Sequence, residues 1–543
     1  MKNKWFALCL LSLVSFLSAG AQNNQPKLAV GIVVDQMRME YLYRFSSGFG
    51  ADGFNRLLNE GFVCYNTQIN YVPTFTGPGH ASIYSGTTPK YHGIAGNDWY
   101  DRRTRKVMYC ASDSLAETVG NEKNTKGSYS ARNILVPNLG DALKLSTAKH
   151  GLVYAISLKD RASAFPAGHA ADGAYWFDKK TGNFVTSSYY AKSVPEWLSG
   201  FNKLRKAESY LDSTWKPVSG SYPNSLPEIE YLKYTHNKGI DSLSQMTLRQ
   251  TLKKGEIGYS PIYNSPFGNK LLTDLAIATI QNTGIGKDNY PDLLAISYSS
   301  PDAVGHAYGP QSIELNDTYI RLDAELARLF EALDASVGKG NYVVFLTADH
   351  GMTDIPGLLA ENKIPGGYFS LDRIVNETKV MLKNQYGDYK WIDGFVDGQI
   401  YLNHTLIEEK KLDLTEMQNR IASFIRTKKS VSDVFTANQL TSYDFTTEMG
   451  GRAQKGFHNL RSGDVWILAL PGWMDENDGS TATHGSAFIS DTNIPLLWYG
   501  AGIPKGHSYL RYNITDIAPT VSALLHIMYP AAAIGNPIPE VLK

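Results

Sequence analysis

Three apolar, strand-like runs in this chain stop at residues that can bind a metal ion. Leu28 to Val34 stops at Asp35; Leu293 to Tyr298 leads to Asp302, with His306 four residues on; Tyr342 to Leu346 runs into Thr347-Ala348-Asp349-His350-Gly351. On one helical turn the Asp302/His306 spacing puts both side chains on one face, although an ordinary surface pair has that spacing too. The Gly- and Pro-rich segment around them reads as a loop held in shape. Asp349 and His350 would face opposite ways in a continuing strand, so Gly351 must turn the chain for both to reach one ion. Asp35 and His484, the latter in a loop between two strands, say little alone.

Mixed imidazole and carboxylate donors suit zinc first, with manganese, iron or cobalt as alternatives. Three Asp and three His exceed the three protein ligands usual at one catalytic zinc, so the set points to two ions. Such a pair, about 4 Å apart, clamps the attacking and leaving oxygens of an in-line displacement at phosphorus. Thr76 is the candidate nucleophile. Pro78 suits the first turn of a helix, which sets the Thr76 hydroxyl at a helix start, where free amides favour an anion. There it is either an N-cap or the attacking group. Lys159 and Arg161 follow another apolar run, Gly151 to Ser157. If the chain stays extended they project on one side, to hold phosphoryl oxygens or to form a solvated basic turn. Asn97 can donate to the same oxygens or shape a turn.

These residues need a frame that gathers strand ends. Helical patterns, Gly50 to Glu60 and Ile313 to Val337, alternate with the strand-like runs, and Val465 to Leu470 and Pro495 to Tyr499 add strands before a helix from Asp516 to about Met528. This alternation predicts an α/β fold with a mainly parallel central sheet and helices on both faces. Ligands bind such sheets at the carboxyl ends of the strands. Two stretches, about 177–265 and 355–473, break the alternation and read as insertions on that edge of one catalytic domain spanning 22–543. The second contains one clear helix, Thr415 to Thr427, opened by Thr415 and Gln418 at capping-box spacing.

The 543 residues balance 52 basic against 52 acidic side chains, which gives no reason to expect a nucleic-acid or anionic-membrane partner. Lys2 and Lys4 precede an apolar stretch, Trp5 to Leu17, and an Ala-x-Ala ending before Gln22. That is the pattern of a cleaved export signal, residues 1–21, and it is shorter than the roughly 20 apolar residues of a membrane anchor. Its removal leaves 522 residues with a formal charge of −2. Of the remaining cysteines, Cys64 and Cys110 form a disulfide permitted by an oxidising compartment or stay as two buried thiols. No Gly-x-Ser-x-Gly elbow and no phosphate loop ending in Gly-Lys-Ser/Thr occurs.

Taken in order, Asp35, the Thr76 segment, Asp302-x-x-x-His306, Thr347-Ala348-Asp349-His350-Gly351 and Thr483-His484-Gly485 resemble the alkaline phosphatase superfamily over nearly the whole mature chain. Asn97 with Lys159-x-Arg161 is similar to the phosphate-insensitive monoesterases of that superfamily, the PafA type. The resemblance implies one zinc on Asp302, His306 and His484, and a second on Asp35, Asp349 and His350 with the Thr76 oxygen. It also implies a covalent phosphothreonine at Thr76, with Asn97, Lys159 and Arg161 on the phosphoryl oxygens. The expected protein is thus a periplasmic or secreted monomer acting on small-molecule phosphate monoesters. A phosphodiesterase or nucleotide pyrophosphatase of the same superfamily is the nearest alternative; a binding module that kept the fold and lost turnover is another. The Cys or Ser followed by Pro and Arg of related sulfatases is absent, as are the Arg soon after the nucleophile and the magnesium site of the best-known alkaline phosphatases.

Overall fold

The computed structural model describes residues 25–543 except 122–124, 220–221, 254, 257 and 447. The expected export signal, 1–21, lies outside the described residues. The eleven strands of the central sheet are, in chain order, β1 (Leu28–Val34), β2 (Phe62–Gln68), β3 (Ser112–Val119), β4 (Thr125–Tyr129), β5 (Val153–Ser157) and β6 (Gly173–Asp178), then β7 (Asn183–Ser187), β8 (Asp292–Tyr298), β9 (Tyr342–Thr347), β10 (Asn493–Gly500) and β11 (Gly506–Asn513). Their order across the sheet is β11-β2-β10-β9-β1-β8-β5-β6-β7-β3-β4. The five central strands, β9 to β6 in that order, run parallel, and antiparallel pairs join them to both flanks. The fold is therefore α/β with a mixed sheet that is parallel through its middle.

Every residue of β1, β8 and β9 is buried. That is the signature of strands covered on both faces, and it is why these runs are mostly apolar instead of alternating. The register aligns Val34 with Tyr298, Val33 with Thr347, Ser297 with Ser157, and Ser157 with Trp176. Five chains thus leave the sheet side by side at one edge. The segment 355–473 follows the carboxyl end of β9, whereas the segment 177–265 differs from expectation: its first residues finish β6 and form β7 of the same sheet, and the rest follows β7.

Several local expectations change. The strand at Val465–Ala469 does not join the central sheet; it pairs with Gln399–Leu402 and Val431–Thr436 in a separate four-stranded sheet that Ile392–Val396 completes. An apolar run gives a strand but not its partner, and the partners here lie in the same segment, 355–473. That sheet has its own apolar cluster, including Leu382, Trp391, Ile400, Met417 and Ile421, and the segment contains the helix Leu371–Tyr386 as well as Leu414–Ile425. The latter is capped by Asp413, whose carboxylate accepts from Glu416 N (2.7 Å). Gln418 points inward instead, donating to Asp464 (3.2 Å). The last helix ends at Leu524, and helix in the Gly50–Glu60 stretch begins at Phe54. Cys64 and Cys110 are buried free thiols.

Candidate metal centre

The segments that follow β1, β8, β9 and β5 converge as the residue types require. Asp35, Asp349 and His350 are inaccessible to solvent, and Asp302 is 5 % exposed. The Gly- and Pro-rich segment is a helix after all, Ser300–Tyr308, with Pro301 in its first turn, where a missing N–H costs nothing. It places His306 Nε2 3.2 Å from Asp302 Oδ1. Gly305 on that helix is required by close approach: a Cβ there would lie 2.0 Å from Gln36 Oε1.

The three histidines share one feature. His306 Nδ1 meets Ala482 O (2.9 Å), His350 Nδ1 meets Gly351 O (2.9 Å) and His484 Nδ1 meets Thr74 O (2.8 Å). A carbonyl only accepts, so each Nδ1 carries a proton, and in the neutral ring Nε2 is then the atom left with the lone pair, the arrangement of metal-ligating imidazole. Those Nε2 atoms face carboxylates: His350 lies 3.5 Å from Asp35 and 3.6 Å from Asp349, and His484 lies 3.8 Å from Asp302. Donor atoms of Asp302, His306 and His484 fall within 4.8 Å of one another, and so do those of Asp35, Asp302 and His350. Asp302, assigned from the sequence to one trio, is in reach of both. Asp349 turns one oxygen toward His80 Nδ1 (3.3 Å) and His350.

The charges explain why a cation belongs here. Burial, and then the neighbouring Asp349, push the Asp35 carboxyl well above its ordinary range in spite of Lys159. Burial would raise Asp302 as well, but Lys159, His306 and His484 hold it well below that range. Asp349 is also lowered against its burial, by His350 and His80. Burial depresses His350 and, most strongly, His484, which keeps them neutral and able to coordinate. Asp35 Oδ1 and Asp349 Oδ2 are buried acceptors without a hydrogen-bond partner. Such atoms are costly unless something positive meets them, so the donor set fits the expected metal.

Thr76 is the first residue of the helix Thr76–Ser85, and Phe75, not Thr76, occupies the N-cap. The hydroxyl therefore does no capping. It lies 3.4 Å from each of His350 Nε2, Lys159 Nζ and Arg161 Nη2. The helix start is less open to an anion than its sequence suggests, because Gly77 N donates to Asn97 Oδ1 (2.9 Å). That bond fixes Asn97 beside Thr76. Gly79 lets the helix press on the strand end, since a Cβ there would stand 2.5 Å from Asp349 O.

Lys159 and Arg161 meet at Thr76, but not through an extended chain. The helix Asp160–Ala167 begins between them, and its first turn swings Arg161 back to the same hydroxyl. Lys159 is no solvated turn residue. Its ammonium bridges Asp35 (2.7 Å) and Asp302 (2.6 Å). Tyr109 holds Arg161 from behind, its hydroxyl accepting from Nη1 (3.0 Å) and donating to Asp160 (2.5 Å).

Three contributors escaped the sequence reading. Gln36, in the left-handed region at φ 67°, donates to Asp302 through its side chain (2.9 Å) and to Asp349 through its backbone (3.2 Å). His80 links Thr76 O (2.9 Å), Ser297 Oγ (2.8 Å) and Asp349. Tyr109 is the third. His80, one helical turn after Thr76, is the one whose spacing was a usable signal.

An α/β fold whose mixed sheet is parallel through its middle, with this cluster at the carboxyl edge of those strands, defines a class of protein. The model of the type I phosphodiesterase / nucleotide pyrophosphatase family matches residues 29–487, and the chain belongs to that family, within the alkaline phosphatase superfamily. Among individual relatives, it is 39 % identical to the alkaline phosphatase PafA of Elizabethkingia meningoseptica, over 99 % of both chains. It is 37 % identical to the alkaline phosphatase PhoV of Synechococcus elongatus, again over 99 % of both. A Myroides odoratus protein named a calcium-transporting ATPase is 37 % identical over 99 % of this chain and 98 % of its own. The crystal structure of PafA superposes with a TM-score of 0.88 at 38 % identity, covering 96 % of this chain and 99 % of that one. A further solved structure is of PafA with one threonine, one asparagine, one lysine and one arginine substituted.

Proposed function

We propose that this chain is an exported two-zinc alkaline phosphatase that hydrolyses small-molecule phosphate monoesters through a phosphothreonine at Thr76. The observation that carries the reading is the Thr76 hydroxyl held 3.4 Å from Lys159, Arg161 and His350. The four residues substituted in the PafA variant are separated in sequence as Thr76, Asn97, Lys159 and Arg161 are here. Asp302, His306 and His484 would hold one zinc, and Asp35, Asp349 and His350 the other, beside the Thr76 oxygen. Zinc, when bound, supplies Lewis acidity to the oxygens that gain charge.

The chain's own groups do the rest. Thr76 Oγ1 gives up its proton and forms a bond to phosphorus as the bond to the leaving oxygen breaks, and the departing alkoxide takes up a proton to leave as alcohol; water then adds to phosphorus and breaks the phosphothreonine bond, its oxygen leaving in phosphate and a proton returning to Thr76 Oγ1. Arg161 and Asn97 offer donors to the equatorial oxygens, where charge is spread in this reaction, and Lys159 adds a positive charge beside the nucleophile. Two fixed cations favour a dianionic monoester over a diester, which has one fewer charged oxygen. Periplasmic or secreted placement, a monomeric state, and one catalytic domain over 22–543 belong to the same proposal.

Zinc-loaded enzyme is expected to turn over phenyl phosphate at least about 100-fold faster than its methyl diester or phenyl sulfate, with ATP in the panel because of the Myroides relative. Faster diester turnover would assign the chain to the phosphodiesterase branch. Replacing Lys159 and Arg161 by alanine should each cost roughly 10²–10³ in kcat/KM for the monoester, the usual size for one lost electrostatic contact, and much less for the diester. Equal losses on both substrates would remove the two cations from monoester recognition.

A further inference from the structure

The strand beside β5 also ends in a cation. Ser157 of β5 is level with Trp176 of β6, so Lys179, three residues past Trp176, emerges at the same edge as Lys159 and Arg161. The turn that presents it is held by hydrogen bonds. Asp178 accepts from Lys180 N (3.0 Å), Thr181 Oγ1 (2.8 Å) and Asn121 Nδ2 (2.9 Å), and Tyr259 N donates to Lys179 O (3.0 Å). The half-buried Lys179 ammonium lies 3.4 Å from the centre of the Tyr263 ring, a cation–π contact, where its two neighbours have carboxylates or a phenol.

Tyr263 is buried on the side of the metal cluster. Burial, with Asp302 and Asp35, raises its hydroxyl to about 12 against the opposing pull of Lys159 and Arg161. Lys179 itself is pushed down to about 8, first by burial and then by Lys159 and Arg161, with Asp160 and Asp302 opposing weakly. Among the described residues no carboxylate pairs with Lys179, and an anion bound beside it would favour its charged form. Lys159 and Arg161 already flank Thr76, so the transferred phosphoryl group is served. What remains for Lys179 is charge elsewhere on the ester.

Building on the monoesterase reading, we propose that Lys179 is a specificity residue that contacts a second anionic group on the substrate. The favoured class is phosphate monoesters whose alcohol portion carries a carboxylate or a further phosphate. The test compares phenyl phosphate with 3-carboxyphenyl phosphate and with a small alkyl bisphosphate on the zinc-loaded full chain. The expected result is a preference for at least one doubly anionic ester, and a fall of about tenfold in that preference, as a ratio of kcat/KM values, in Lys179→Met. That is the usual worth of a hydrogen bond to a charged group. Lys179→Arg should restore the ratio, which a packing role against Tyr263 alone would not require. An unchanged ratio in Lys179→Met, or no preference in the parent enzyme, overturns the proposal while leaving the monoesterase reading intact. Failure to hydrolyse any of these esters would instead refute the monoesterase reading itself.

Discussion

Thr76→Ala is expected to abolish phosphoenzyme and to lower kcat by about 10³-fold or more, the scale on which enzymes lose rate when a covalent nucleophile is removed. The fold makes this a clean experiment. A threonine at a helix start normally caps it, and loss of such a cap costs about 1 kcal/mol; here Phe75 takes that position and the hydroxyl faces His350, Lys159 and Arg161. The variant loses no helix cap and only one buried hydroxyl, so its change in unfolding free energy should stay within the ordinary range for point substitutions, about 0.5–3 kcal/mol, and it should remain folded at assay temperature. Acid quenching during turnover, followed by peptide mass spectrometry, reads the phosphothreonine directly. Thr76→Ser should keep the phosphoryl group at the same position. Undiminished phosphoenzyme in Thr76→Ala would take Thr76 out of the mechanism.

Removal of metal should have the other large effect. Three buried carboxylates stand here against Lys159 and Arg161, and Asp35 is pushed well above its ordinary range by burial and by Asp349. A chelator is expected to abolish activity and lower the melting temperature together, and zinc to restore both. A ligand that binds only the folded state at a thousandfold excess over its Kd stabilises it by about 4 kcal/mol, so the thermal shift should be plain without any activity assay. Elemental analysis of the reloaded protein should find two zinc ions per chain. His306→Ala, which touches one trio, should lose about one of them, whereas Asp302→Asn should weaken both, because Asp302 lies within reach of both groups. Full activity after chelation, with an unshifted melting curve, would refute the metal assignment.

The reach of the sequence can be judged at particular residues. Asp35, Asp302 and Asp349 stand out because strands buried on both faces are largely apolar, so a carboxylate at the end or a few residues beyond it breaks the pattern. Leu28–Val34 was located to the residue, for the same reason. Val465–Ala469 shows the limit: the strand was legible, its sheet was not, since pairing is a choice among partners that an apolar pattern does not rank. The helix at Ser300–Tyr308 was hidden by its own composition, because Pro301 and Gly305 serve its start and its contact with Gln36 at the expense of helix propensity.

By itself, then, the sequence determined the α/β class, the identity of the metal-binding and nucleophilic candidates, and through their order a resemblance to a phosphatase superfamily. Tertiary structure decided what each group faces. It took Thr76 out of the capping role, fixed the histidine tautomers through three backbone carbonyls, put Lys159 between two carboxylates, brought Gln36 and His80 into the cluster and left Lys179 on a tyrosine face. Local propensity depends on neighbours in the chain, whereas protonation, pairing and direction depend on neighbours in space, and at this sheet edge those lie as far as 410 residues away in the chain, as His484 and Thr74 do.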